Sequence, residues 1–233
     1  MRTALLVELF QQLPALPDGD FLGGRSLELH AHLERFRQSV NTKYTEGTLQ
    51  RLLTDPATQA RRGALLALGL VGTMRSNAET AACLHDDDPQ VRRLAADALW
   101  NIWFRAEGDP PKRELQRLSQ LKDPTKSLRG LNALVTKYPQ FAEAYNQRAI
   151  VHFKLGEYKK AVADCESALA LNPHHFGAQS GMGQCLQRMH KSRGALRAFR
   201  KALAIYPDLD DVAEMVRSLE ERLGEGGTRD DRK

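Results

Sequence analysis

The sequence predicts an all-α protein, a solenoid of stacked helical hairpins, and three observations carry that prediction. A pattern of residue classes recurs at a spacing of 34 residues between Ala142 and Leu209, and a fixed period of this length signals stacked copies of one supersecondary unit. Nowhere do polar and apolar residues alternate with the period of two that a half-buried strand requires. Only 6% of the residues are aromatic against 42% hydrophobic, as expected when helices pack through Ala and Leu. With 233 residues, the chain has room for one continuous or slightly bent solenoid of two modules, or for two small domains.

Taken in order, the first element is Met1 to Leu16. Its apolar run from Ala4 to Leu9 is broken by Glu8 and followed by Gln11 and Gln12, without a small-residue cleavage site before Pro14, so it reads as a short amphipathic helix rather than a leader. Two helical hairpins follow. Leu49, Leu52 and Leu53 precede Ala60, Arg61, Ala64 and Leu68, while Ala81, Ala82 and Leu84 precede Val91, Arg92, Ala95 and Leu99. Ala60 and Val91 are corresponding positions, so the period here is slightly shorter than the one that starts at Ala142. Asp55-Pro56 and Asp88-Pro89 lie between the helices, and each is expected to open one, because proline suits the first helical position and aspartate caps the exposed amides. Pro139 stands one longer period before Pro173, and a helical stripe of Leu128, Leu131, Leu134 and Val135 runs ahead of it; residues 108–141 are therefore expected to form a degenerate hairpin.

The two clear copies span 142–175 and 176–209. Tyr145, Ala149 and Phe153, then Val162, Cys165 and Leu169, recur at three- and four-residue intervals and so share one face of each of two helices. Gly156 supplies the positive φ of a helix ending, and Pro173 after Asn172 stops the second helix. Small residues (Ala149, Ala161, Ala168, and in the second copy Gly183, Ala195, Ala202) let the paired helices approach closely. Beyond them, Asp210 is placed to cap a helix over 210–223 bearing Val212, Val216 and Leu219, with Gly224 as its stop and a disordered tail over 225–233.

These residue classes at this period resemble the tetratricopeptide repeat: an aromatic at Tyr145, small residues at Ala149 and Gly183, Ala161 and Ala195, Ala168 and Ala202, and prolines at Pro173 and Pro207. The second copy departs from the pattern at Gln179, at Leu186, and at His190, where the turn glycine belongs. The earlier hairpins resemble short HEAT repeats over roughly 48–104. In that family an aspartate and an arginine tie one repeat to the next, and Asp55 and Asp88 with Arg61 and Arg92 stand at the matching positions. The expected organisation is thus 1–107 for N-terminal helices and a HEAT-like module, and 108–224 for a tetratricopeptide module. In the resembled family peptides lie along the first helices, which implies Asn146, Ile150, Phe153 and Lys154, then Ser180, Gln184, Gln187 and Arg188, as the partner-binding groove. The family variant that clamps a C-terminal carboxylate places a lysine where this chain has Asn146 and an asparagine where it has Ile150, so that mode is not expected.

Charge sharpens the picture. Lys and Arg exceed Asp and Glu by 6 over residues 142–207, against 3 over 1–141 and a deficit of 4 over 208–233. Arg193, Arg197, Arg200 and Lys201 share neighbouring faces of one helix as a basic stripe, which is either a solvated face or an attraction for an acidic protein segment. Nucleic acid is the weaker alternative, since no aromatic residues are interleaved for stacking. Catalytic and cofactor signatures are missing: Gly181-Met182-Gly183 follows no strand, His30 and His32 point to different sides of a helix, and Asp86-Asp87-Asp88 lacks the glycine and later glutamate of a calcium loop. No metal or cofactor is expected. An odd number of cysteines without close spacing reads as buried thiols, and no segment nears the about 18 apolar residues of a membrane span. The sequence therefore indicates a cytoplasmic, non-enzymatic adaptor for a protein or peptide partner, with a nucleic-acid binder or an accessory, lyase-like enzyme subunit as alternatives.

Overall fold

A computed structural model describes residues 2–14 and 27–230, side chains of 2, 27 and 225–230 excepted. Among the described residues there are thirteen α-helices and no strand, so the all-α prediction holds. The chain divides into two compact units, Met1–Trp103 and Phe104–Lys233.

In the first unit, α1 (Arg2–Gln11) lies on α4 (Thr58–Val71). Gly63 is the point of approach, since a Cβ there would meet Leu6 Cγ at 3.3 Å. Helix α2 (Leu27–Lys43) buries Leu29, Leu33, Phe36 and Val40, one helical face. Two hairpins follow, α3 (Glu46–Leu52) with α4, and α5 (Asn77–Ala82) with α6 (Pro89–Phe104). Their starts keep one period, the step from Glu46 to Asn77 being equal to that from Thr58 to Pro89. Trp103 is buried among them, its indole N–H donating to Asn77 Oδ1 at 2.7 Å.

The turns of these hairpins correct the expected pairing. Asp55 and Asp86, not Asp55 and Asp88, are the equivalent acids: each accepts the N–H two residues on, Ala57 N at 2.9 Å and Asp88 N at 2.9 Å. Arg61 Nη1 donates to the carbonyls of Asp55 and Pro56, and Arg92 Nη1 to those of Asp86 and Asp87. Arg61 then reaches the next turn and holds both oxygens of Asp86 at 2.7 and 2.9 Å, while Arg62 does the same to Asp88 at 3.1 and 2.6 Å. A guanidinium fork matched to a carboxylate is the strong form of ion pair. Burial works against the Asp86 charge, but the Arg61 hydrogen bonds prevail, and Arg62 acts likewise on Asp88, so both carboxyls sit below their ordinary range. Asp88 also caps α6 through Val91 N at 2.8 Å. Pro89 opens α6 as expected, whereas Pro56 lies in the turn and α4 begins two residues later at Thr58.

In the second unit the longer period is written into the helix starts. Helices α8 (Pro124–Lys137), α10 (Tyr158–Leu171) and α12 (Ser192–Ile205) begin at equal steps, and α9 (Ala142–Lys154), α11 (Phe176–Arg188) and α13 (Asp210–Asp230) begin at the same steps as those. Helix α7 (Asp109–Ser119) completes the hairpin before α9. Close approach explains the small residues: a Cβ on Gly183 would lie 2.5 Å from the Phe199 ring, and one on Gly130 would lie 2.2 Å from Leu118 Cδ2. Gly156 takes φ +74° between α9 and α10, and His190, its equivalent in the next copy, takes φ +58° between α11 and α12. The departure at His190 thus retains the left-handed turn without glycine. Helix α13 buries Val212, Val216 and Leu219 and continues through Gly224 to Asp230. Gly224 does not stop it, since glycine in a helix costs only about 1 kcal/mol; of the expected tail, residues 231–233 lie outside the described residues.

One buried polar cluster locks the two copies together. Glu143 on α9 and His175 at the start of α11 are both fully buried. His175 Nδ1 accepts the N–H of Ala178 at 3.1 Å, which caps α11 and leaves Nε2 as the protonated nitrogen; Nε2 donates to Glu143 Oε2 at 2.8 Å. Gln147 and Asn146 donate to Glu143 Oε1 at 2.7 and 3.2 Å. Cys83, Cys165 and Cys185 are free and buried, as expected, and burial raises the Cys83 and Cys185 thiols to about 11 and pushes Cys165 up as well.

Three outcomes follow, each read by thermal melts followed by circular dichroism. Gly156→Ala is expected to destabilise by about 1 kcal/mol or more, and His190→Gly to stabilise by about 0.5 kcal/mol, because only the second relieves a left-handed side chain. His175→Ala removes a cap and a donor to buried Glu143, costing about 2–4 kcal/mol, whereas His174→Ala stays within about 0.5 kcal/mol. A depressed aspartate stabilises the fold above the unfolded-state pKa near about 4 and ceases to do so as pH falls through its lower folded value. Asp86→Asn should therefore cost about 2 kcal/mol at neutral pH, with the deficit shrinking as pH falls below the unfolded-state value; a deficit independent of pH would contradict this.

Candidate functional site

The eight groove positions fall into two equivalent sets of four on the first helices α9 and α11, and the structure places the sets differently. Asn146 is buried, its amide committed to Glu143. Ile150 is 38% exposed and, with Lys154, lines a shallow pocket of about 110 Å³ whose other wall is Lys122, Pro124 and Leu131. Phe153 is half-buried against Tyr158, ring centroids 5.5 Å apart. In the second set, Ser180 and Gln184 line a wider cleft of about 450 Å³ facing Asp208, Asp210 and Asp211 at the start of α13. Gln187 is half-buried and Arg188 exposed.

The sets meet at Arg188, whose guanidinium stands 5.5 Å from the centre of the Phe153 ring, a cation–π contact. Ile150, Phe153, Lys154 and Arg188 are thereby grouped at the C-terminal ends of α9 and α11, where the helix dipoles favour cations. Asp210 and Asp211 occupy the N-terminus of α13, where the dipole favours anions. The surface made by the first helices is thus basic along one edge and acidic at its far end. Sequence reasoning missed Lys122 and the three aspartates. The period held the signal for the latter, since Asp210 is the equivalent of Phe176 one copy later and opens the next first helix.

On the second-helix side, Arg193, Arg197, Arg200 and Lys201 are all exposed on α12. Arg200 is engaged by Glu220 of α13 at 2.6 Å, which removes one cation from the stripe. His30 and His32 lie on α2, and His175 is the buried cap described above. Asp86 and Asp88 are held by arginines rather than solvated. Among the described residues, no group of three His, Cys, Asp or Glu side chains is placed to hold a metal ion, and no helix is long and apolar enough to cross a membrane.

Comparison with known proteins agrees with this architecture. The tetratricopeptide repeat family model matches residues 142–175, and that of HEAT repeats matches 45–134. The HEAT match runs into α8, although α8 already keeps the longer period, so the two repeat patterns overlap across α7 and α8. A TPR repeat-containing protein of Rhizobium etli is 37% identical over 93 residues, 40% of this chain and 46% of that protein. Small glutamine-rich tetratricopeptide repeat-containing protein 2 of Saccharomyces cerevisiae is 30% identical over 104 residues, 45% of this chain and 30% of that protein. The chain spans less than half the length of these curated relatives. Among solved structures, the first TPR of Spaghetti bound to an HSP90 peptide is similar with a TM-score of 0.47 at 19% identity, over 49% of this chain and 90% of that one. The family models thus place HEAT repeats at residues 45–134 and a tetratricopeptide repeat at residues 142–175, in keeping with the shorter and longer periods of the helix starts.

Proposed function

We propose that this protein is a non-enzymatic, cytoplasmic adaptor in which residues 108–224 act as one binding module for a protein or peptide partner carrying some negative charge, with residues 1–107 as a separate HEAT-like module. The observation that carries this reading is the pair Lys154 and Arg188. They stand at the same place in consecutive repeats, both are exposed, and Arg188 rests on Phe153 rather than on a carboxylate. An extended segment passing over Ile150 and Phe153 would bury apolar contacts beside two cations, and Gln184 and Gln187 offer donors and acceptors to its backbone. Rim cations of this kind act through complementarity and association rate.

Affinity capture with the full chain tests the reading. Lys154→Glu with Arg188→Glu is expected to remove the captured partner while leaving the thermal melt unchanged, and retention of the partner would move the site elsewhere. The nucleic-acid alternative predicts binding of RNA or DNA oligonucleotides that weakens steeply with salt, and the Arg200–Glu220 pair weighs against it.

A further inference from the structure

Laying the second repeat over the first exposes a difference on the side away from the groove. In the first repeat, Arg148 holds both oxygens of Asp164 at 2.8 and 2.5 Å and reaches Asn132 on α8 at 3.0 Å. Tyr145 lies against the same guanidinium, 5.5 Å from its ring centre. His152 Nδ1 meets Glu157 at 2.5 Å, and both His152 and Asp164 are buried. These side chains fill the space between the two helices of the hairpin and tie it to the preceding one.

One period on, every one of those plugs is replaced. Met182 stands for Arg148 and Ala198 for Asp164, so the ion pair is gone. Gln179 stands for Tyr145 and Leu186 for His152, which leaves a shorter and more apolar floor. At the rim, Lys191 replaces Glu157, while Arg197 and Lys201 replace Ala163 and Ser167. The result is a cleft of about 410 Å³ between α11 and α12, lined by those residues and Gly194, with no carboxylate on its walls. Its volume suits one or two large apolar side chains. Met182 gives it an adaptable surface, and three cations line its α12 side.

We propose that this cleft is a second docking site, separate from the first-helix groove, for an acidic amphipathic helix of a protein partner: apolar anchors enter over Met182 and Leu186, and flanking carboxylates meet Lys191, Arg197 and Lys201. Charge complementarity selects the occupant. A basic segment is repelled by the three cations of the α12 wall, and a purely polar one leaves the apolar floor uncovered. Nothing in this assignment depends on Lys154 or Arg188.

The probe is a labelled peptide of about four helical turns with leucine at i, i+3, i+4 and i+7 and glutamate elsewhere, titrated into the full chain by fluorescence anisotropy. Methyl NMR of the chain's five methionines reports where it binds. Saturable binding in the micromolar range is expected, with the Met182 methyl moving and the affinity falling as salt rises. Arg197→Glu with Lys201→Glu, both at exposed positions, should weaken binding at least tenfold. Met182→Arg with Ala198→Asp, which transplants the plug of the first repeat, should abolish it with the helical signal intact. Lys154→Glu with Arg188→Glu should leave it unchanged, which separates failure here from failure of the groove reading. The proposal is overturned by absence of saturable binding up to about 1 mM peptide, by equal binding to the plugged variant, by a still Met182 methyl, or by tighter binding of the lysine-for-glutamate peptide or of an oligonucleotide at this face.

Discussion

A helical hairpin of this kind has two apolar faces and can cover only one of them by itself. The rest of the second unit follows from that constraint. Leu115, Leu118, Leu131 and Leu134 of α7 and α8 are closed over by Phe141, Ala144 and Val151. Ala149, Ala161 and Cys165 of the next hairpin are closed over by Cys185 of the one after. Ala195, Phe199 and Ala202 are closed over by α13. Within a hairpin the backbones also come within the reach of small residues, which is why a Cβ on Gly183 of α11 would collide with the Phe199 ring of α12. Helix α13 leaves Glu214, Arg217 and Glu221 exposed.

That dependence also explains what the sequence alone could disclose. Helix phase was legible because a small residue at a crossing point has no substitute, and such points recur whenever the hairpin recurs. The turn at His190 was legible for the same reason: its backbone conformation is set by the repeat, whatever side chain occupies it. Side-chain partnerships were not legible. Three aspartates stand side by side at 86–88, and which of them faces Arg61 is decided by the geometry between two hairpins 25 residues apart. His175 reads as a turn residue until α9 brings Glu143 against it across 32 positions. Asn146 occupies a groove register, yet that same glutamate draws its amide inward.

In the HEAT-like hairpins, arginines carry the inter-repeat contact, and between the two clear tetratricopeptide copies a buried glutamate held by a histidine and two amides does. The difference follows burial. Asp86 keeps a 13% exposed side chain and Arg61 a 16% exposed one, so a guanidinium can enter with part of its hydration retained. Glu143 has none, and an isolated charge there would cost several kcal/mol; three hydrogen-bond donors from His175, Gln147 and Asn146 supply the compensation instead.

The same reasoning separates the two tetratricopeptide hairpins. The first commits its second-helix side to structure: Arg148 and buried Asp164 satisfy each other's charges, with Asn132 taking up a further guanidinium donor, and removing either would strand the other. A side occupied in this way has little left to offer a ligand. The second hairpin lacks that pair, and its stability rests on the close packing of Gly183 with Phe199 and on burial by α13. Phe199, fully buried, contributes about 1.5–3 kcal/mol by removal from water alone. With its fold secured by packing, the second hairpin leaves its polar positions free to vary, and they carry Arg188 of the groove and Lys191, Arg197 and Lys201 of the cleft. Divergence between neighbouring copies of one repeat is therefore tolerated where packing is already sufficient, and that is where binding surfaces can arise.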